Sequence, residues 1–216
     1  MDVGVAGAHG QVARRLTRRL ASRGDRVRGI IRSAHQADDL RQDGGEPIVV
    51  DLEQAAVANV AEAIDGCDAV VFAAGAGPGS GARRKETVDY GAAVKLIEAT
   101  RIVGVSRYVM VSSMGADHPP GDDDVFSVYL RAKARADQAL VDSGLGWTIL
   151  RPGRLTDDQG TGTVMLDEHV DRGDIPRDDV AAVLAAVLDT PRTAGRILEV
   201  VSGSTPIDDA VVRLVT

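Results

Sequence analysis

Seven short runs rich in β-branched residues recur along the chain: VGVA at 3–6, RVRGII at 26–31, PIVV at 47–50, AVVFAA at 69–74, RYVMVS at 107–112, WTILR at 147–151 and ILEVV at 197–201. Between them lie longer stretches in which apolar residues return every three or four positions, as on one face of a helix. Val12, Leu16 and Leu20 form one such stripe, with Arg14, Arg15, Arg18 and Arg19 turned elsewhere. Val88, Ala92, Leu96 and Ala99 form another within 84–103, and Val180, Leu184, Val187 and Leu188 a third. Several strand runs are apolar at every position, so both their faces must be covered. Strand alternating with helix in this way predicts a doubly wound α/β fold: a mostly parallel sheet of about seven strands with helices on both faces. No repeat or low-complexity linker interrupts the pattern, so residues 1–216 are expected to form one domain.

Composition sharpens this. Aromatic residues make up 3% of a chain that is 44% hydrophobic, so the core must be built from Val, Ala, Leu and Ile. A single cysteine, Cys67, excludes an internal disulfide and fits a reducing compartment. The opening MDVGVAGAHG lacks a basic segment and its apolar run is too short for a signal peptide or a membrane span, which points to the cytoplasm. The net charge of −7 argues against a nucleic-acid partner, although eight arginines stand between positions 11 and 32 against one acid, Asp25. They are expected to form a solvated face that also raises the positive potential near the first turn.

That turn is GAHGQVA, residues 7–13, a G-x-x-G-x-x-A pattern between a strand and a helix. Gly7 suits a tight turn, Gly10 the close approach of a pyrophosphate, and Ala13 close helix–strand packing. His9 faces the same space, and the free N–H groups at Gln11 and Val12 open the helix toward the phosphates. The second strand ends in Arg32 and Ser33, where an NAD site would place a carboxylate. A guanidinium there grips a 2′-phosphate, so NADP(H) is favoured over NAD(H). After the third strand, Asp51 and Leu52 lie where an adenine would sit, though Asp51 could equally cap the next helix, with Glu53 and Gln54 in its first turn.

A second motif, YLRAK at 129–133, puts Tyr129 and Lys133 on one helix face. With these pieces placed in order, together with FAAGAG 72–77, VDYGAAVKLIEA 88–99, SRYVMVSSMG 106–115, ILRPG 149–153 and IPRDDVA 175–181, the chain resembles the short-chain dehydrogenase/reductase superfamily. It is most similar to the atypical, NmrA-like branch of NAD(P)H-binding and epimerase-like proteins, whose fold is the Rossmann type. The resemblance implies Ser113 as the residue that orients substrate, Tyr129 as general acid/base, and Lys133 as the ammonium that lowers the phenol's pKa and bonds the nicotinamide ribose. It puts Asp89 where the family carries Asn, a departure that adds a negative charge beside the lysine. Ala73, Ala74, Gly75 and Ser112 are implied to line the cofactor, and Pro152 and Gly153 to border the nicotinamide. Residues 152–178, irregular and rich in Gly, Thr and Asp, form a small C-terminal region expected to cover a small-molecule substrate.

The implied activity is NADP(H)-dependent oxidoreduction or epimerase-like chemistry on a small carbonyl or alcohol, or on a quinone- or flavin-like acceptor. A non-catalytic NADP(H) sensor is the alternative. Asp117, His118 and Asp122–Asp124 lack metal-ligand spacing, so no metal is expected. Arg154 is expected in solvent, and the chain to act as a monomer or homodimer without membrane or nucleic-acid partners.

Overall fold

The computed structural model describes residues 1–77 and 79–216. The first half runs β1 (Asp2–Ala6), α1 (Gln11–Ser22), β2 (Arg26–Ile31), α2 (Ala37–Gln42), β3 (Glu46–Val49), α3 (Val57–Ile64) and β4 (Ala69–Phe72). A helix of changing pitch follows, with α4 (Ala82–Arg84), a π-helical segment (Lys85–Ala92) and α5 (Ala93–Val103). The second half comprises β5 (Arg107–Val111), α6 (Val125–Val141), β6 (Gly146–Pro152), β7 (Arg154–Thr156), β8 (Thr163–Asp167), β9 (Asp174–Pro176), α7 (Arg177–Leu188), β10 (Arg196–Ser202), β11 (Thr205–Pro206) and α8 (Ile207–Arg213).

All seven expected strands form, and they pair in parallel in the order β10-β6-β5-β4-β1-β2-β3. The sheet is larger than the seven strands expected. β8 adds to β10 antiparallel and β11 adds to β8, giving nine strands, while β7 and β9 pair separately. The segment 152–178 is therefore not irregular. In β8, Val164 and Leu166 are buried while Thr163, Met165 and Asp167 are not, a two-residue period too short to stand out from its Gly- and Asp-rich flanks. The outer strands each carry a proline, Pro47 in β3 and Pro206 in β11.

Two apolar cores sandwich the sheet. One gathers Val3 and Val5 of β1 with Leu16 and Leu20 of α1, Leu40 of α2, and Val180, Leu184 and Val187 of α7. The other gathers Phe72 and Met110 with Val60 and Ile64 of α3, Leu96 of α5 and Leu140 of α6. Each fully buried Leu or Ile contributes about 1.5–3 kcal/mol relative to exposure. The lone Cys67 lies in the second core, where burial pushes its thiol up to about 11.

The outward arginines of α1 do more than meet solvent. Arg14 and Arg18 reach Asp43, just after α2, at 2.5 and 2.6 Å, and Arg15 pairs with Asp178 of α7 at 3.2 Å. Burial alone would raise the Asp43 carboxyl, but the two guanidiniums outweigh it and hold it below the ordinary value. The arginine run thus fastens α1 to its neighbours.

Candidate functional site

The strand order reverses at β1, whose neighbours are β2 and β4, so a crevice opens at the carboxyl ends of these strands. Gly7 begins it with φ +75°, and a Cβ there would lie 2.5 Å from the Ala74 Cα. Only glycine lets the β1 turn lie against the loop after β4. Gly10, extended at φ −66°, caps α1 without a side-chain bond, and no acid occupies the first turn of the helix. The free N–H groups there therefore face the crevice with the positive end of the helix dipole.

The crevice has a volume of about 270 Å³ and is lined by Gly7, His9, Gly10, Arg32, Asp51, Leu52, Ala73, Ala74 and Gly75, all expected from the sequence. Gln11 and Val12 open α1 beside it. Arg32 is exposed, and no hydrogen bond or ion pair engages its guanidinium among the described residues; its backbone N–H donates to the Gln36 side chain at 3.1 Å. Ser33 contacts His35 through its hydroxyl at 2.7 Å. His9 is tied to Asp39 at 2.8 Å, so it braces the turn against α2 as well as facing the crevice. Asp51 accepts from the Glu53 backbone N–H at 3.0 Å, closing a turn; the next helix, α3, starts only at Val57, so Asp51 is not its cap.

Sequence reasoning missed Gln36, Glu53 and Arg84, which also line the crevice. Arg84 pairs with Glu53 at 2.9 Å, and that partnership with the Thr87 hydroxyl holds the Glu53 carboxyl low against the opposing effect of burial. Nothing in the local pattern marked them, since the contact joins residues 31 positions apart.

Beyond the β4 loop, α6 and the π-helical segment face each other. Tyr129 is half-buried, and no hydrogen bond engages its hydroxyl among the described residues. Lys133 is 3% exposed; its ammonium donates to the Val111 carbonyl at 3.0 Å, stands 3.5 Å from Asp89 Oδ1, and lies 5.8 Å from the centre of the Tyr129 ring. Asp89 is wholly buried; Oδ2 accepts from the Ala76 N–H at 3.2 Å, and Oδ1 has no hydrogen-bond partner among the described residues. The departure from Asn thus creates a buried ion pair. Lys85, which the sequence reading passed over, is 9% exposed and holds its ammonium 5.3 Å from the Tyr129 ring centre, donating to the Gly77 carbonyl at 2.9 Å. Its signal was a cation four residues before Asp89 on the same helix. Phe126, 58% exposed, stacks on Tyr129 at 5.7 Å.

The two serines after β5 part ways. The Ser113 hydroxyl is half-buried and donates to the adjacent Met114 carbonyl at a long 3.3 Å, leaving it available to a better acceptor. Ser112, implied to line the cofactor, instead turns its hydroxyl inward to Asp137 at 2.9 Å, so its side chain is spent on the core. Asp137 also accepts from Arg151 Nε and Nη2 at 3.0 and 2.9 Å. Pro152 is buried at the end of β6. A Cβ on Gly153 would lie 2.2 Å from the Gly173 carbonyl, so that glycine answers to the packing of β6 on the loop before β9. Arg154 pairs with Asp174 at the surface, and His118 with Asp117. No carboxylate, His or Cys cluster able to hold a metal occurs among the described residues, and no described helix is long and apolar enough to cross a membrane.

A reversing parallel sheet with a glycine turn at its switch point defines a dinucleotide-binding protein of the Rossmann type. The chain belongs to the NAD(P)H-binding family, whose pattern matches residues 7–191. It is 38% identical to YhfK of Bacillus subtilis, named an uncharacterized sugar epimerase, over 99% of this chain and 100% of that one. A Bacillus halodurans structure named for the NAD-dependent epimerases/dehydratases is also 38% identical and superposes with a TM-score of 0.93 over 99% and 100% of the two chains. ChuY of Escherichia coli O157:H7, named an anaerobilin reductase, shares 25% identity at a TM-score of 0.80, covering 94% and 98%. The chain thus belongs to an NAD(P)H-binding family whose members carry oxidoreductase and epimerase names.

Proposed function

We propose that the protein is an NADP(H)-dependent reductase of the short-chain dehydrogenase/reductase type that uses Tyr129 as proton donor. The observation that carries this reading is the phenol of Tyr129, unengaged among the described residues and set by the buried ammonium of Lys133 where α6 meets the π-helical segment, whose Val88 and Ala92 line the crevice that holds the glycine turn. The crevice suits a dinucleotide by its glycine cradle, its uncapped helix end and its free Arg32. Gly7, Gly10 and the first turn of α1 would hold the pyrophosphate, with Arg32 at the ribose 2′-phosphate. Bound there, the reduced nicotinamide supplies a hydride. Ser113 orients the polar atom of the acceptor, and Tyr129 gives it the proton that, together with the hydride, completes the two-electron reduction. Lys133, anchored on the Val111 carbonyl, favours the phenolate left behind.

Phe126 guides the choice of acceptor. This chain has two phenylalanines, and one of them stands 58% exposed and stacked on Tyr129. A flat apolar ring beside the proton donor suits a planar, conjugated acceptor of the quinone or flavin kind. The name of ChuY, a reductase, agrees with this direction. The segment 152–178 would close over such a substrate.

The test is NADPH oxidation with quinone and flavin acceptors by the wild type and Tyr129→Phe, with NADPH and NADH titrated in parallel. The variant should lose about 100-fold or more in turnover and keep its cofactor affinity. A fully active variant removes Tyr129 from the chemistry, whereas tight NADPH binding with no turnover of any acceptor supports the sensor alternative. Arg32→Ala should weaken NADPH by about tenfold or more and NADH little; equal losses defeat the assignment of the 2′-phosphate.

A further inference from the structure

The reading of Tyr129 as proton donor meets a difficulty in Asp89. A neutral Asn in its place would leave Lys133 with its whole charge turned to the phenol, whereas Asp89, 3.5 Å away and wholly buried, cancels it. Buried charges this close interact strongly because little water screens them. By itself, the Asp89–Lys133 pair presents Tyr129 with no net charge.

Lys85 restores it. The chain has only three lysines among 25 lysines and arginines, and two of them meet Tyr129. Their ammoniums approach the ring to 5.3 Å from the π-helical segment and 5.8 Å from α6. Lys85 pairs with no carboxylate among the described residues; its one bond goes to the neutral carbonyl of Gly77. Residues Lys85–Ala92 leave regular α pitch for i→i+5 bonding, and within that segment both Lys85 and Asp89 turn inward. A lysine ammonium is a compact point charge that can stand beside a ring at a short reach, where a guanidinium would spread its charge over a plane.

Resting on the reductase reading, we propose that Lys85 offsets Asp89, so that Tyr129 faces the same single net positive charge that one lysine and a neutral asparagine would provide. Among the described residues the charged groups meeting Tyr129 are Lys85 on the π-helical segment, Lys133 on its own helix and, behind Lys133, Asp89; Asp137, one turn further along α6, also acts on Lys133 but is itself paired with Arg151. Lys85 acts through Tyr129 and is a positioning residue, and the loop after β4 that carries Gly77 sets its place.

The test is a double-mutant cycle with Lys85→Met, Asp89→Asn and both together, with Lys85→Arg as the conservative variant. Two readouts are taken: the pH profile of NADPH oxidation with menadione, and the urea midpoint at neutral pH. Losing a positive charge disfavours phenolate, so Lys85→Met should move the pH of half-maximal rate upward by about one unit. Asp89→Asn should move it downward by a similar amount, the double variant should return close to the wild type, and Lys85→Arg should shift it less than Lys85→Met. An unmoved profile in Lys85→Met with a lowered urea midpoint would overturn the proposal and make Lys85 a strut for Gly77. If the wild type turns over no acceptor, the reductase reading fails by itself and the urea cycle decides: a double variant less destabilised than the sum of the singles upholds the offset, and additive losses overturn it.

Discussion

Asp89, on the π-helical segment, and Asp137, on α6, are both buried and both face a cation, yet they are held in different ways. Asp137 receives three hydrogen bonds on one oxygen, two from Arg151 and one from Ser112, all between 2.9 and 3.0 Å. Asp89 receives one, from a backbone N–H, and meets its lysine only at 3.5 Å. The first arrangement ties β5, β6 and α6 together from within and points away from the crevice. The second leaves a carboxylate and two ammoniums loosely arranged around a phenol that no hydrogen bond engages among the described residues. Tightness of bonding therefore separates a carboxylate that fastens strands and helix together from one that tunes a reaction.

The largest expected effect follows on the tight side. Arg151→Leu strands Asp137 and should cost about 3–5 kcal/mol, read from urea unfolding. Lys133→Met keeps the apolar stem but leaves the buried Asp89 without its cation at 3.5 Å. Asp89 loses only that looser contact and keeps the Ala76 N–H bond, so the change should cost about 1–3 kcal/mol, less than Arg151→Leu, while removing turnover. If Lys133→Met destabilises as much as Arg151→Leu, the distinction between the two carboxylates is lost.

A smaller effect sharpens the contrast through pH. Burial raises the Asp137 carboxyl above its ordinary 3.8, against the pull of Arg151, Ser112 and Lys133. With a folded value above the unfolded one, the folded state binds the proton more tightly. The stability this group contributes is complete below 3.8 and is lost as pH rises through the folded value. Asp43, held low by Arg14 and Arg18, behaves oppositely, contributing above 3.8 and losing its contribution as pH falls through its folded value. Asp137→Asn should therefore remove a downward slope of at most about 1.4 kcal/mol per pH unit above 3.8 in urea titrations, and Asp43→Asn an upward slope below 3.8. Parallel curves for Asp137→Asn and the wild type would sink the assignment.

The smallest effect concerns Phe126. Because it is already 58% exposed, Phe126→Ser should change stability by no more than about 0.5 kcal/mol. It should raise KM for menadione several-fold with little change in NADPH affinity, as seen by steady-state kinetics. An unchanged KM would return the ring to the role of a lid on Tyr129.

Much of this was legible in the sequence because it is local. A strand, a G-x-x-G-x-x-A turn and a helix stripe are periodic over a dozen residues, and GAHGQVA lies at the switch point the alternation predicts. Tyr129 and Lys133 share a helix face for the same reason. What escaped is non-local or breaks a period. Asp137 finds Ser112 and Arg151 across 25 and 14 residues, so no window around Ser112 could tell that its hydroxyl turns inward. The π-helical segment shifts the register of the helix, and with it Lys85, in a way no α-helical stripe anticipates. Gly153 read as a cofactor residue because a glycine after a strand looks the same whether it clears a ligand or a neighbouring carbonyl. β8 was missed because two buried side chains between turn residues carry too little pattern.

The prolines at the two margins of the sheet bear on how copies of this protein meet. Pro47 and Pro206 each remove an amide from the outermost strand, and β11 has only two residues. An incoming extended segment would find an amide missing at each border, so both margins of this open sheet disfavour strand-to-strand addition by a second chain.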